Sequence, residues 1–272
     1  MVEPGIEADA GSENDDDPEN DTGVAFYTAL AQETGDPVLE IACGTGRVSL
    51  PVARLGFAVT GLDMAPAMIA RARRKSVGLA VRWVEGDGRL LPLDERFRLI
   101  FLTGNAFQQF LTNADQAALL AGVHAHLDDA GLFAFETRNP LWSAPWTRAA
   151  QDAAIASARL RGDFFALIET RDEEQVWQTY TDSRGREVRE SFTQAYDQIA
   201  QILRLTYYRR WREGDAERTK VTHEALRYTF PEELTALLQH HGFTVIRRYG
   251  DWQLEPLSVA SMSIIVVCRK RV

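Results

Sequence analysis

Short apolar runs alternate with helix-forming segments through the first half of the chain, from residue 24 to residue 137. Strands that alternate with helices pair in parallel through right-handed crossovers. The pattern therefore predicts a Rossmann-like, doubly wound α/β sheet. The predicted strands are residues 38–43, 57–62, 79–84, 99–103 and 132–137, and the predicted helices are residues 24–32, 48–54, 68–75 and 115–126.

The periodicity changes after Pro140. Between residues 175 and 228 several runs alternate polar with apolar positions, and turn-forming residues separate them at 183–185 and 214–215. Regular short strands with turns between them are typical of an antiparallel meander. We therefore expect an inserted antiparallel β subdomain in this part of the chain.

The end of the chain returns to the main sheet. Pro231 begins a helix that ends at Gly242, and the apolar runs 243–249 and 263–269 follow as two strands. The sequence thus predicts four parts. They are a disordered acidic tail over residues 1–21, a Rossmann-like core over residues 22–140, the inserted β subdomain over residues 141–228, and a C-terminal helix with strands over residues 229–272.

Charge is distributed unevenly along the chain, whose net charge is −9. Nine of the 39 Asp and Glu residues lie in segment 1–21, which has no Lys or Arg, so the remaining 30 equal the 30 basic residues. An acidic segment containing Gly, Asn, Ser and Pro is predicted to be disordered. The neutral body lacks the basic surface that phosphate backbones require, which argues against nucleic acid as the substrate.

Other classes of protein are disfavoured by what the chain lacks. No apolar run approaches the roughly 20 residues of a membrane span, and segment 1–21 has no features of a secretory signal. Cys43 and Cys268 lie too far apart in sequence to suggest a disulfide or metal framework, so we expect a cytoplasmic protein. No metal site is predicted, because the paired histidines have the wrong spacing for one helix face.

The strongest chemical signal is the segment Glu40–Arg47, EIACGTGR, where a buried strand turns into a helix. Gly44 and Gly46 allow the backbone to approach a ligand closely, and a helix N-terminus offers free N–H groups to an anion. A Gly-x-Gly turn by itself also serves plain tight packing. In this position it favours a nucleotide-like cofactor.

Two acidic residues at the ends of later strands support a nucleoside. Asp63 lies nineteen residues after Gly44, where a carboxylate can accept both hydroxyls of a ribose. Asp87 follows the third strand, where it can accept from an adenine amino group. Nicotinamide enzymes share this layout, but their third glycine is replaced here by Ser49, so a nicotinamide oxidoreductase is a weak alternative.

From Tyr27 to Arg269 the chain resembles the class I S-adenosylmethionine-dependent methyltransferases. The C-terminal helix and last strand resemble the final helix and reversed strand of that family, which implies a mostly parallel sheet with one reversed strand. The insertion resembles, more loosely, the lid of members that act on small metabolites. The motifs that carry the resemblance are VLEIACGTGR, VTGLDMAPAMIARAR, VEGDGRLLPL, FRLIFLTGNAFQQF and HLDDAGLFAFETRNP.

The resemblance implies S-adenosylmethionine as cofactor and S-adenosylhomocysteine as product. It implies that Gly44 and Gly46 approach the methionine portion, that Asp63 holds the ribose, and that Met64 packs on adenine. Asp87 and Gly88 would face the adenine edge. The complete predicted cofactor-binding set is Glu40, Gly44, Thr45, Gly46, Arg47, Asp63, Met64, Asp87, Gly88 and Thr103.

Methyl transfer from a sulfonium is an in-line displacement that positioning can dominate, so we assign no catalytic residue. If the acceptor needs a base, the candidates are Tyr27, His223, Glu136 and Arg138, each with an ordinary structural alternative. Asn105 lies in the turn after the fourth strand, which should face the transferred methyl. That turn lacks the Asn/Asp-Pro-Pro-aromatic motif of methyltransferases that modify base amines.

The first hypothesis is thus N- or O-methylation of a small-molecule acceptor, by a protein that is expected to form a homodimer. The alternative is a non-catalytic S-adenosylmethionine-binding protein with a regulatory or assembly role. Aromatic residues of the insertion offer either core packing or a pocket for a cationic amine. They are Trp177, Tyr180, Phe192, Tyr196, Tyr207, Tyr208, Trp211 and Tyr228.

Overall fold

The computed structural model describes residues 22–142, 171–182 and 185–271. These residues form two compact units. The first combines residues 22–139 with 229–271, and the second contains residues 140–142, 171–182 and 185–228. The predicted tail, residues 143–170 of the insertion and two residues of its first predicted turn lie outside the described residues.

A seven-stranded sheet forms the centre of the first unit, in the order β10-β11-β5-β4-β1-β2-β3. All neighbouring pairs are parallel except those made by β11, which runs antiparallel to both β5 and β10. The predicted mostly parallel sheet with one reversed strand is confirmed. The strands are β1 Val38–Ile41, β2 Val59–Asp63, β3 Val81–Glu85, β4 Phe97–Leu102, β5 Leu127–Arg138, β10 Phe243–Tyr249 and β11 Ser263–Lys270.

The helices begin where the sequence provides start signals. Pro66 and Pro231 occupy first-turn positions, where the missing N–H costs nothing. Thr112 and Asp115 form a capping box, in which each side chain accepts from the other's backbone N–H. The helices are α1 Val24–Thr34, α2 Ser49–Arg54, α3 Pro66–Lys75, α4 Asn113–His126 and α5 Pro231–His240, and a 3₁₀ helix spans Ala106–Gln109.

Apolar side chains cover both faces of this sheet. On one face Tyr27 of α1 stacks on Phe101 with ring centroids 4.8 Å apart. On the other, Phe107 stacks on Phe135 at 4.6 Å, in a cluster that also includes residues of α4 and α5. Burial on two faces explains why the central strands read as continuous apolar runs rather than as alternating ones.

The second unit is the predicted antiparallel meander, with strands in the order β6-β7-β8-β9. Phe192 and Tyr228 lie fully buried in its own core, and Trp177, Tyr196 and Tyr207 pack against that core. Packing therefore accounts for most of the predicted aromatic group. The strands are β6 Arg171–Thr181, β7 Glu187–Asp197, β8 Ile202–Glu213 and β9 Ala216–Arg227.

Three further features of the described residues concern membrane-spanning helices, thiol groups and metal sites. None of the helices combines the length and the apolar composition that a membrane crossing requires. Cys43 and Cys268 are buried, and burial raises the pKa of the Cys268 thiol to about 12, which disfavours the reactive thiolate. Across the described ranges, His, Cys, Asp and Glu side chains form no group of three or more suited to a metal ion.

Gly61 of β2 is required by close packing just before the site. A Cβ atom there would lie 2.3 Å from the Trp83 ring and 3.0 Å from Cys43 Sγ. We predict that Gly61→Ala lowers the free energy of unfolding by about 1–3 kcal/mol, because overpacking forces neighbouring groups to move. Urea unfolding measures this. The same change in a Trp83→Leu background should cost much less; an equal cost in both backgrounds would show that the ring is not the cause.

Candidate active site

The carboxyl ends of the parallel strands meet at one edge of the sheet, where open α/β sheets bind ligands. After β1 the chain turns through Gly44 and Gly46, whose φ angles of 54° and 87° lie in the left-handed region that favours glycine. The Thr45 hydroxyl accepts from Lys75 Nζ at 2.9 Å. Arg47 Nη1 donates to the Thr22 carbonyl at 2.6 Å. The turn is therefore fixed to α3 on one side and to the residues preceding α1 on the other.

Asp63 lies at the end of β2, directly beside this turn. Its Oδ2 accepts from the Gly44 N–H at 2.8 Å, and its Oδ1 accepts from the Ala65 N–H at 2.9 Å. Both oxygens are thereby oriented, and each keeps further lone-pair capacity because an ionised carboxylate can accept about four hydrogen bonds. Met64 is 64% exposed, which is unusual for a large apolar side chain. A fixed, half-buried carboxylate beside an exposed thioether fits the ribose and base of a nucleoside.

Asp87, the acidic residue that follows β3, is already paired within the protein. The guanidinium of Arg89 donates to both oxygens of Asp87 at 2.5–3.0 Å and bridges to Asp115 at 2.9 Å. Arg89 holds the pKa of Asp87 below its ordinary value. Gly88 is buried, with Ile41 and the Phe110 ring nearest to the position of an added Cβ. Sequence reasoning did not select Arg89, and the adenine role of Asp87 and Gly88 stays a prediction.

Glu40, predicted to contact the cofactor, is buried and surrounded by protein donors. Its Oε2 accepts from Ser49 N at 2.9 Å and from Ser49 Oγ at 2.5 Å, and its Oε1 accepts from Thr103 Oγ1 at 2.9 Å. Loss of hydration raises its pKa to about 7, although these hydrogen bonds oppose the shift. Two residues of the predicted cofactor set, Glu40 and Thr103, therefore contact each other and join β1, α2 and the end of β4.

Two of the candidate bases are also brought together. Tyr27 is hydrogen-bonded through its hydroxyl to Glu136 Oε2 and to the Leu102 carbonyl, the latter at 3.0 Å. Glu136 Oε1 accepts from the backbone N–H groups of Gly104 and Asn105 at 2.5 and 3.3 Å. Burial raises the pKa of both side chains, and the adjacent carboxylate raises that of Tyr27 further. The pair ties α1, β5 and the turn after β4 into one network.

The remaining candidates lie in different places. Arg138 Nη1 donates to Gln108 Oε1 at 3.1 Å, beside the same turn. Among the described residues, the buried atoms Asn105 Oδ1 and Gln108 Nε2 have no hydrogen-bond partner. The sequence placed Gln108 in the turn after the fourth strand, which should face the transferred methyl, but it assigned Gln108 no role of its own. His223 belongs to the second unit, where it is exposed on β9 and lies 3.1 Å from Thr206 Oγ1.

This geometry can position ligands, and within the described part of the chain both candidate bases at this edge, Tyr27 and Glu136, are buried. Glu40 and Glu136, the buried carboxylates of the edge, are both occupied by protein donors. Such an arrangement suits a reaction between reactants that are already activated, in which orientation supplies most of the rate.

Comparisons with known proteins find similarity to methyltransferases. Residues 38–131 match the family described as Methyltransferase domain. The cypemycin N-terminal methyltransferase of Streptomyces sp is 28% identical over 145 residues, which cover 53% of this chain and 58% of that protein. The CcbJ methyltransferase from Streptomyces caelestis has a TM-score of 0.74 at 22% identity, over 95% of this chain and 92% of that one.

A third similar protein was solved with the cofactor bound. S-adenosylmethionine-bound CalS10, an amino pentose methyltransferase from Micromonospora echinaspora, has a TM-score of 0.64 at 21% identity, over 96% of this chain and 93% of that one. Structural similarity at such identities bears on the fold alone. It confirms the predicted Rossmann-like sheet with an inserted antiparallel subdomain.

The buried Glu40 should make the stability of the protein depend on pH. A carboxyl group with a raised folded-state pKa contributes stability below its unfolded pKa of 4.5, and this contribution is lost as the pH rises through about 7. In the wild type this loss should lower the free energy of unfolding by up to about 3 kcal/mol. We predict that Glu40→Gln abolishes the loss, because the amide can accept from Ser49 and donate to Thr103 without ionising.

Urea unfolding from pH 5 to pH 8 measures the effect. Glu95, whose side chain is 41% exposed and pairs with Arg82 at 2.8 Å, provides the control Glu95→Gln, whose stability profile should parallel that of the wild type. Parallel profiles for wild type and Glu40→Gln would contradict the raised pKa of Glu40.

Proposed function

We propose that the chain is a class I S-adenosylmethionine-dependent methyltransferase that methylates the amine of a small molecule, and the match of residues 38–131 to the family described as Methyltransferase domain supports this. The observation that carries this proposal is the contact between Gly44 and Asp63, at 2.8 Å. It joins the glycine turn of β1 to a carboxylate at the end of β2, which is the arrangement that a nucleoside cofactor requires.

Eight of the ten predicted cofactor residues, all except Asp87 and Gly88, divide into two groups by exposure. Gly44, Arg47, Asp63 and Met64 are half-buried or exposed, so they are available to a ligand. We assign direct contacts to these four. Glu40, Thr45, Gly46 and Thr103 are buried, and the side chains of the three that are not glycine donate or accept hydrogen bonds within the protein. We propose that these four hold the first group in place.

S-adenosylmethionine, when bound, supplies a methyl group that its sulfonium already activates. The protein then has to hold the acceptor in line with that methyl and exclude water, and well-oriented reactants gain effective molarities of roughly 10⁵–10⁸ M. An uncharged amine needs no base for this step, whereas an alcohol must lose a proton. The side chains of Tyr27 and Glu136 are fully engaged with each other and the backbone, which favours an amine acceptor.

The names of two relatives support nitrogen as the methylated atom. One is a methyltransferase of the cypemycin N-terminus, and another is an amino pentose methyltransferase. The balance of 30 acidic and 30 basic residues outside the tail supports a small acceptor rather than a nucleic acid. A homodimer in the cytoplasm remains part of the proposal.

Cofactor binding tests the site directly. We predict that Asp63→Asn weakens S-adenosylmethionine binding by at least about ten-fold, because the ribose hydroxyls lose a charged acceptor. Isothermal titration measures the affinity. Asp36→Asn is the matched control, since Asp36 also accepts a backbone N–H, from Ala58 at 3.2 Å, but lies before β1 at the opposite edge of the sheet. Equal affinities for all three proteins would remove Asp63 from the cofactor site.

Turnover distinguishes the enzyme from a non-catalytic binder. Methyl-labelled S-adenosylmethionine is incubated with matched pairs of small amines and alcohols, and labelled product is quantified. Label in the amines supports the proposal, and label in the alcohols alone would contradict nitrogen methylation. Cofactor binding without label in any compound would favour the regulatory or assembly hypothesis, particularly where the cofactor changes the affinity for a protein partner.

A further inference from the structure

The turn after β4 holds two polar groups with unused hydrogen-bonding capacity. Gln108 is fully buried, and its Nε2 has no partner among the described residues. Asn105 Oδ1, three residues earlier, is likewise buried and unpartnered within the described part of the chain. Unsatisfied buried groups are costly, at about 1–3 kcal/mol each, and in native proteins they call for a ligand, a water or a functional reason.

The backbone of this turn is strained in the same place. Asn105 has a φ of 59° in the left-handed region, which a residue with a Cβ adopts at some cost. It occupies the N-cap position of the 3₁₀ helix, yet its side chain makes no capping hydrogen bond. Glu136 holds the turn in this shape by accepting from the Gly104 and Asn105 N–H groups. The side chain of Asn105 therefore serves neither the helix nor the turn.

The two free groups have opposite polarity. Asn105 Oδ1 accepts a hydrogen bond, and Gln108 Nε2 donates one. The orientation of the Gln108 amide is fixed, because its Oε1 accepts from the Arg138 guanidinium at 3.1 Å and the reverse orientation would bring two donors together. A cationic donor on the amide oxygen also polarises the Nε2–H groups and makes them stronger donors.

We propose that Asn105 and Gln108 recognise the acceptor, a deepening that rests on the proposed function. Asn105 Oδ1 accepts an N–H of an uncharged amine, and Gln108 Nε2 donates to an oxygen carried on the neighbouring carbon. The acceptor class is thus an amine with a vicinal oxygen, either a hydroxyl or a carboxylate. The reverse assignment fails, because an amine that accepts from Gln108 has no lone pair left to attack.

The assignment is consistent with the bonds that change. The nitrogen lone pair forms the new N–C bond, while the pair of the breaking C–S bond stays on sulfur. Positive charge passes from the sulfonium to the nitrogen, and the product leaves as an ammonium that later releases its proton to water. The amide of Asn105 only orients the amine, so no residue has to take a proton during the transfer.

Three probes with the same ring test the class of acceptor. They are cyclohexylamine, vicinal aminocyclohexanol and 1-aminocyclohexanecarboxylate, in which the carbon next to the amine-bearing carbon carries the carboxylate oxygens. We expect the two oxygen-bearing amines to exceed cyclohexylamine by about ten-fold in kcat/KM, and their order identifies the hydroxyl or the carboxylate as the preferred oxygen. Equal values for all three would overturn the proposal while leaving methyl transfer intact. If none is methylated although the cofactor binds, the proposed function itself fails.

Variants assign the effect to the two residues. Gln108→Glu keeps the acceptor for Arg138 but replaces the Nε2 donor with an oxygen, so the preference for the oxygen-bearing probes should disappear. Gln109→Glu adds the same charge at the exposed neighbouring residue and should leave the preference unchanged. Loss of the preference in both variants would indicate a general charge effect and contradict the role of Gln108.

Asn105→Gly separates recognition from structure. Glycine accepts the left-handed φ without strain and removes the unpartnered oxygen, so the melting temperature should stay the same or rise. At the same time kcat/KM for the amines should fall about ten-fold. A lower melting temperature with unchanged kcat/KM would show that Asn105 is structural, or that its oxygen binds only water.

Discussion

Burial of two carboxylates at one edge of the sheet is the constraint on which the candidate site depends. A buried carboxylate is costly unless several donors surround it, and Glu40 and Glu136 draw their donors from segments far apart in the chain. Glu136 joins Tyr27 of the first helix to the turn at Gly104, and Glu40 joins Ser49 to Thr103. Because every donor must be present at once, these segments have one satisfactory arrangement.

That arrangement explains how strained backbone persists at the edge. Gly104 and Asn105 both have left-handed φ angles, and their N–H groups converge on one carboxylate oxygen of Glu136. The hydrogen bonds offset the conformational cost, as happens at many functional sites. Burial also raises the pKa of both carboxyl groups. The edge is therefore shaped by groups whose chemistry is internal, while the contacts proposed for ligands fall to other groups, among them Asp63 and the two amides.

Some residues fix the shape of the site and others are proposed to bind ligands, and this division agrees with what methyl transfer requires. A reaction of an activated methyl with a neutral nucleophile gains most from rigid placement and little from added charge. Buried carboxylates that are fully hydrogen-bonded provide rigidity without presenting a charge to the acceptor. Lys75 and Arg47 likewise fix the glycine turn, because they donate to Thr45 Oγ1 and to the Thr22 carbonyl.

The sequence alone determined the order of strands and helices and the antiparallel insertion, and it carried the resemblance to the methyltransferases, because these depend on periodicity, on turn residues and on local motifs such as the one from Glu40 to Arg47. The sequence also identified Tyr27 and Glu136 as candidate bases, each separately, from its place at a predicted helix or strand. Only the tertiary structure decided that these two contact each other, that Arg89 pairs with Asp87, and that Gln108 Nε2 has no partner among the described residues. Those contacts join residues up to 109 positions apart or depend on side-chain direction and burial, which periodicity does not encode.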